Sequence, residues 1–287
     1  MKKDEKNMAI DLTNNRLVRK FQYLSERNER ALICYVVAGY PDSGSTECIV
    51  NTLANAGADI IEIGIPFSDP IADGPIIQEA SYEALVRGIT PEKCLSIAHR
   101  VRKRFPDLPI LVMTYSNILL KKGFETFMTR AKSLGIDGFI LPDMTVEESD
   151  CYIKQASRLG LATIFLVSPN TSERRMNTII KRSSGFLYVV SVYGITGTRK
   201  SFEDYTLCTI KEAKRIAKSH LPVVVGFGIT EPSHVRSMIA AGADAVIVGS
   251  AIVEKIKSNR TNPRKMLDRL SSYVTEMKRA CKPTKSF

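Results

Sequence analysis

Short aliphatic runs alternate along this chain with longer stretches whose apolar positions recur at helical spacing. The runs Ala31–Val37, Asp59–Ile63, Pro109–Tyr115, Gly138–Leu141, Ala162–Val167, Phe186–Val192, Pro222–Phe227 and Ala243–Val248 predict eight strands. They are apolar nearly throughout, as strands covered on both faces are. Between them, the amphipathic stretches Ser45–Ala56, Pro91–Arg104, Phe124–Leu134, Val146–Leu159, Ser172–Arg182, Tyr205–Ser219 and Pro232–Ala241 predict helices. Such alternation implies a parallel sheet. Eight units close into a (β/α)8 barrel, whereas an open doubly wound sheet usually has fewer. Three helix-to-strand joins repeat one pattern: Gly57-Ala58-Asp59, Gly135-Ile136-Asp137 and Gly242-Ala243-Asp244. Glycine is the usual left-handed cap after a helix, so the repetition fits a ring of like units.

The predicted fold class is therefore α/β, a single TIM barrel over residues 14–280 between a disordered tail at 1–13 and a basic tail at 281–287. An extra N-terminal helix, Asn15–Glu26, is placed to cap the barrel floor. Additional helices enter the loop after strand 2, where Gln78–Val86 precedes Pro91–Arg104. Others enter after strand 8, where Ala251–Lys257 precedes a final helix.

Composition changes this picture little. The 287 residues are 44% hydrophobic, enough for one substantial core. No run reaches the ~20 apolar residues that a membrane helix needs. The opening MKKDEKNMAIDL lacks the apolar centre of a signal peptide, so a cytoplasmic protein is expected. The six cysteines are scattered without metal-ligand spacing and are expected to be buried, reduced thiols. A formal charge of +11 raises nucleic-acid binding, but the basic residues lie on helical segments such as His99–Arg104 and Lys211–Lys218 without interleaved aromatics. Such a positive field better suits a small anionic substrate.

The segment Ile61–Gly74, reading IEIGIPFSDPIADG, breaks the strand pattern. Glu62 stands among aliphatic residues, where an ionised carboxylate is costly unless paired or used. No strand run carries a Lys or Arg to pair with it. In barrels the active site lies at the carboxyl ends of the strands, and Asp73 follows in the loop above the same strand. Walled by Ile60, Ile61, Ile63 and Ile65, Glu62 should keep its proton to higher pH, while Asp73, on a polar loop, should remain ionised. Carboxyls separated in this way can divide acid–base and charge-stabilising roles. The alternative is that Glu62 is a buried ion-pair partner and that Asp69 and Asp73 form turns. No lysine in the runs offers a Schiff base, and His99, His220 and His234 lie away from the strand ends. Neither imine nor metal chemistry is expected.

Gly226-Phe227-Gly228 and Gly249-Ser250 end strands seven and eight. Barrels often bind phosphate there, on loop amides and the start of a short helix; two ordinary turns are the alternative. The basic, glycine-bearing stretch Gly194–Lys200 is expected to be a lid that trypsin cuts near Arg199 or Lys200, or else a surface connection. Tyr35, Tyr115 and Tyr188 fall in or at the ends of strands one, three and six, as pocket walls or core filling.

Taken together, these residues resemble the tryptophan synthase α-subunit family, with IEIGIPFSDPIADG matching its signature nearly residue for residue. The likeness continues through Tyr115–Asn117 (YSN), Leu141–Asp143 (LPD), Ser168–Thr171 (SPNT), Gly194–Gly197 (GITG), Gly226–Ile229 (GFGI) and Gly249–Val253 (GSAIV), and spans Asn14 to the final helix. The resemblance implies a lyase of L-tryptophan biosynthesis that cleaves indole-3-glycerol phosphate to indole and glyceraldehyde 3-phosphate by a retro-aldol reaction. It implies that Glu62 is the general acid–base residue at indole C3 and that Asp73 accepts the indole N–H. Tyr35, Met113, Tyr115, Ile140, Leu166, Tyr188 and Ile247 match positions enclosing the indole and propanol chain. Thr196 matches a lid threonine that orients Asp73. Gly197, Phe227, Gly228, Gly249 and Ser250 match the amides that hold the phosphate.

The resemblance also implies a β subunit as partner in an α2β2 heterotetramer, with the loop Pro66–Gly74 and the lid communicating with it. Pyridoxal phosphate belongs to that partner, and no cofactor or metal is expected in this chain. Tyr35 departs from the Phe of many members, Val192-Tyr193 from a Ser/Arg-rich version, and the basic balance is unusual. The alternatives are a standalone indole-releasing lyase, a noncatalytic activator of a β subunit, or another phosphate-binding barrel. The intact Glu62 and Asp73 speak against the second, and the signature loop against the third.

Overall fold

A computed structural model describes residues 12–190, 199–218, 220–226 and 228–282, with backbone alone for 199–203. Eight parallel strands close in chain order: β1 (Ala31–Val37), β2 (Ile60–Gly64), β3 (Ile110–Met113), β4 (Gly138–Ile140), β5 (Ala162–Val167), β6 (Leu187–Val190), β7 (Val223–Gly226) and β8 (Ala245–Val248). β8 pairs back onto β1 and completes the barrel. Around it lie α1 (Arg16–Glu26), α2 (Ser43–Asn55), α3 (Pro75–Val86), α4 (Pro91–Arg104), α5 (Ser116–Lys122) and α6 (Phe124–Ser133). The ring continues with α7 (Asp150–Leu159), α8 (Glu173–Arg182), α9 (Arg199–Ala217), α10 (Pro232–Ala240), α11 (Ser250–Asn259) and α12 (Pro263–Ala280). The α/β barrel, its N-terminal helix and the helix pairs after β2 and β8 all stand as expected. Among the described residues, no helix is long and apolar enough to cross a membrane.

Three details depart from the sequence reading. A second helix, α5, follows β3 directly, because the Asp143 carboxylate reaches across from the β4 loop to accept from Ser116 N at 3.0 Å and from its hydroxyl. The cap lies far away in sequence, so local patterning does not show it. α9 begins at Arg199 rather than Tyr205, which puts the backbone of Arg199 and Lys200 into a helix. The cysteines also split. Cys34, Cys94 and Cys281 are buried, whereas Cys48, Cys151 and Cys208 are exposed, turned outward on α2, α7 and α9; all are free thiols.

The floor of the barrel is built from the repeated Gly-X-Asp joins. Gly57, Gly135 and Gly242 take φ of +108°, +92° and +109°, a turn from helix to strand that side chains resist. Each following aspartate then ties two strand entrances together. Asp59 accepts from Leu32 N and Lys278 Nζ, Asp137 from Ile110 N and Arg102 Nη2, and Asp244 from Val223 N and Lys214 Nζ. α1 closes the same end. Its N-cap Asn15 donates to the carbonyls of Asp137 (2.8 Å) and Gly160 (3.0 Å), and Phe21 meets Phe186 edge-on. With the floor locked, the opposite rim is left for chemistry.

Candidate active site

Strand register carries the expected wall residues onto one face of the sheet. Tyr35 pairs with Glu62, Glu62 with Leu111, Gly64 with Met113, Met113 with Ile140, Leu166 with Tyr188, and Ile33 with Ile247. Side chains alternate in and out along a strand, so these pairings line the barrel interior. Tyr35, Met113, Ile140, Tyr188 and Ile247 are buried there, and Leu166 packs against them partly exposed. Tyr115 stands just beyond β3, at the rim.

Glu62 is 1% exposed, and its Oε2 finds no hydrogen-bond partner among the described residues. Desolvation, and secondarily the charge of Asp73, raises its pKa to about 8. A carboxyl in this state is protonated at neutral pH and able to donate. No ion pair engages it among the described residues, so the buried-partner alternative fails there.

Asp73 is less open to water than its polar loop suggests: the loop folds back over the barrel, and burial raises its carboxyl pKa. The Tyr115 hydroxyl opposes that shift by donating to Asp73 Oδ2 at 3.1 Å, while accepting from Ala72 N at 3.1 Å. Gln78 anchors the same loop from α3, its Nε2 donating to the Asp73 carbonyl at 2.7 Å. Phe67 stacks on the Tyr115 ring with centroids 5.0 Å apart. Asp73 Oδ1 is buried without a partner among the described residues, which leaves one acceptor unsatisfied.

Phe67, Gln78 and Gly64 are supporting residues that the sequence reading missed. The signal for Phe67 and Gly64 was their place inside the signature Ile61–Gly74, although the role of Gly64 is steric: a side chain there would put Cβ 2.2 Å from the Tyr35 hydroxyl. Gly226 stands in the same relation to Tyr188, at 2.1 Å.

At the ends of β7 and β8, Gly228 adopts φ +69°, and α11 starts at Ser250 behind Gly249 with no side-chain cap. Ile252 N donates to the Gly249 carbonyl at 2.8 Å, whereas the Ser250 and Ala251 amides at the start of α11 take no partner among the described residues and can receive an anion. Thr196, Gly197 and Phe227 lie outside the described residues, as do 194–198 of the expected lid and the chain ends 1–11 and 283–287.

A family model described as tryptophan synthase alpha chain matches residues 21–282. The tryptophan synthase alpha chain of Methanothermobacter thermautotrophicus is 43% identical over 250 residues, which cover 87% of this chain and 92% of the relative. That of Methanoregula boonei is 41% identical over 256 residues, covering 89% and 96%. Tryptophan synthase subunit alpha from Legionella pneumophila has a similar structure, with a TM-score of 0.83 at 34% identity over 93% of this chain and 98% of that one. A chain of the tryptophan synthase a2b2 complex from Pyrococcus furiosus gives 0.80 at 37% identity over 87% and 98%. With two carboxylates of unlike environment at the barrel mouth and this likeness along nearly its whole length, the chain belongs to the tryptophan synthase alpha chain family.

Proposed function

We propose that Glu62 and Asp73 divide the work of the α-chain reaction, the cleavage of indole-3-glycerol phosphate to indole and glyceraldehyde 3-phosphate. Protonated Glu62 gives its proton to indole C3, which turns the ring into its indolenine form. The glycerol hydroxyl next to the ring then surrenders its proton to the Glu62 carboxylate, and an aldehyde forms. The carbon–carbon bond breaks, and its electrons return to the ring. Glu62 ends protonated, as it began. Asp73 accepts the indole N–H and stabilises positive charge on that nitrogen while C3 is protonated. The amides of Gly197, Phe227, Gly228, Gly249 and Ser250 hold the phosphate, and Thr196 orients Asp73 from the lid. The carrying observation is that Glu62 is fully buried, unpaired among the described residues, and electrostatically coupled to Asp73.

Glu62→Gln keeps the shape and removes the transferable proton. Indole release should fall by about 10²–10⁴-fold, the usual worth of a general acid–base group. An unchanged rate in a coupled indole assay would refute the assignment. Asp73→Asn should also lose activity, with phosphate binding retained.

The partner we assign is a pyridoxal-phosphate β subunit in an α2β2 assembly, with the cofactor held wholly by that partner. Ile71 on the loop beside Asp73 is 81% exposed and Leu120 on α5 is 61% exposed, which gives the barrel's active rim apolar contact points. A cytoplasmic setting accords with the free thiols.

A further inference from the structure

Tyr35 is more than a wall of the pocket. It enters the barrel beside Glu62, its register partner on β2. The phenol then climbs along β2 to Gly64, where an added Cβ would lie 2.2 Å from its hydroxyl oxygen and 2.6 Å from Cζ. Gly249 yields to the ring from the other side, since a Cβ there would meet Tyr35 Cδ1 at 3.2 Å. Two glycines on the flanking strands therefore fix one tilt of the ring. That tilt seats the hydroxyl on bare backbone where β2 ends and the Asp73 loop begins, above Glu62.

The titratable groups facing Tyr35 are Asp73 on that loop, Glu62 on β2, Tyr115 at the end of β3 and Tyr188 on β6. None is a cation. Of the carboxyl oxygens here, Glu62 Oε2 and Asp73 Oδ1 are buried without a donor among the described residues, while Asp73 Oδ2 already receives the Tyr115 hydroxyl. No hydrogen bond of the described residues engages the Tyr35 hydroxyl itself. A phenol between two carboxyls can donate to whichever of them is ionised. Its height on β2 favours the loop carboxylate over the strand one.

We propose that Tyr35 is a positioning residue: with substrate in the pocket its hydroxyl, which bonds neither carboxyl in this structure, donates to Asp73 Oδ1, clasping Asp73 between two phenols and leaving the proton of the carboxyl pair on Glu62. Burial and then the Asp73 charge, ahead of that of Glu62, raise the Tyr35 pKa, so the phenol keeps the proton that a donor needs. Hydrogen bonds to an ionised acceptor are stronger than neutral ones, so this contact favours charge on Asp73. The inference rests on the division of roles between Glu62 and Asp73 given above, and it adds what enforces that division.

The test is Tyr35→Phe in the full chain, with kcat and KM for indole release measured across pH, alone and with a β subunit. Loss of one charge-assisted hydrogen bond should lower kcat about tenfold and move the acidic limb of the profile up by about one unit, with KM changed far less. Gly64→Ala leaves the phenol but drives it from its seat, and should move the same limb in the same direction. A Tyr35→Phe profile that superimposes on the parent's overturns the proposal. So does a fall in kcat with no shift of the limb, or an unshifted limb in Gly64→Ala. Glu62→Gln run in parallel separates the two ideas. An active Glu62→Gln sinks the acid–base reading, whereas an inactive one beside a parent-like Tyr35→Phe sinks only the role of Tyr35.

Discussion

At the residue scale, the chemistry of Glu62 carries a cost in stability. Its carboxyl titrates near 8 in the fold against 4.5 as an ordinary glutamate, chiefly through desolvation. The folded state thus binds a proton that the unfolded chain releases, so the stabilising contribution is full below about pH 4.5 and is lost as pH rises through 8. At about 1.4 kcal/mol per unit, that loss is on the order of 5 kcal/mol. Glu62→Gln cannot ionise and should escape it. The variant is expected to melt close to the parent at pH 5 and several degrees above it at pH 9, while making almost no indole. Parallel melting curves for the two proteins across that range would show that ionising Glu62 does not strain the fold. The same carboxyl sets the upper limb of activity, because the proton given to indole C3 is gone above its pKa.

At the element scale, the three aspartate clasps differ in ways that should rank their worth. The Asp137–Arg102 pair is nearly dry, at 1% and 9% side-chain exposure, and Asp137 also accepts from Ile110 N. Asp59–Lys278 is intermediate at 10% and 18%, and Asp244–Lys214 is wetter at 26% and 31%. Removing one partner of a buried pair strands the other, at a cost of about 3–5 kcal/mol, against about 1 kcal/mol for a solvated pair. Denaturant titration should therefore order the losses as Asp137→Ala, then Asp59→Ala, then Asp244→Ala. Since the clasps sit at the floor, surviving protein should keep the parent kcat. An inverted order would mean that the shared strand-entry hydrogen bond, and not the ion pair, carries the energy. The Gly-X-Asp repeat was visible in the sequence as a join; its clasp was not, because Lys278, Arg102 and Lys214 come from helices that periodicity alone cannot place. β1 and β5 were legible to the residue, since their bounds coincide with aliphatic runs ending in polar or glycine punctuation. α5 was not, since its cap, Asp143, comes from the next unit. Glu62 announced itself by being a charge in an apolar run, but Asp73's burial depends on Tyr115, Phe67 and Gln78 closing a loop over it.

At the scale of the whole molecule, the formal charge of +11 acts on encounter with substrate. The phosphate corner we propose is built from amides of Gly228, Gly249 and Ser250, which hold an anion at short range by dipoles and not by a fixed cation. A net positive field acts at longer range and concentrates anions near the barrel mouth. The two contributions separate under salt. The Debye length falls from roughly 20 Å at 20 mM to about 7 Å at 200 mM, which screens the field but barely touches amide contacts inside the pocket. kcat/KM for indole-3-glycerol phosphate should drop several-fold over that range while kcat holds. The reverse reaction supplies an internal control, since one of its substrates is an anion and the other is neutral. The KM for glyceraldehyde 3-phosphate should rise with salt and that for indole should not. Equal responses of the two would assign the salt effect to the protein's conformation. A flat response of both would leave the positive balance of this chain without a part in substrate capture.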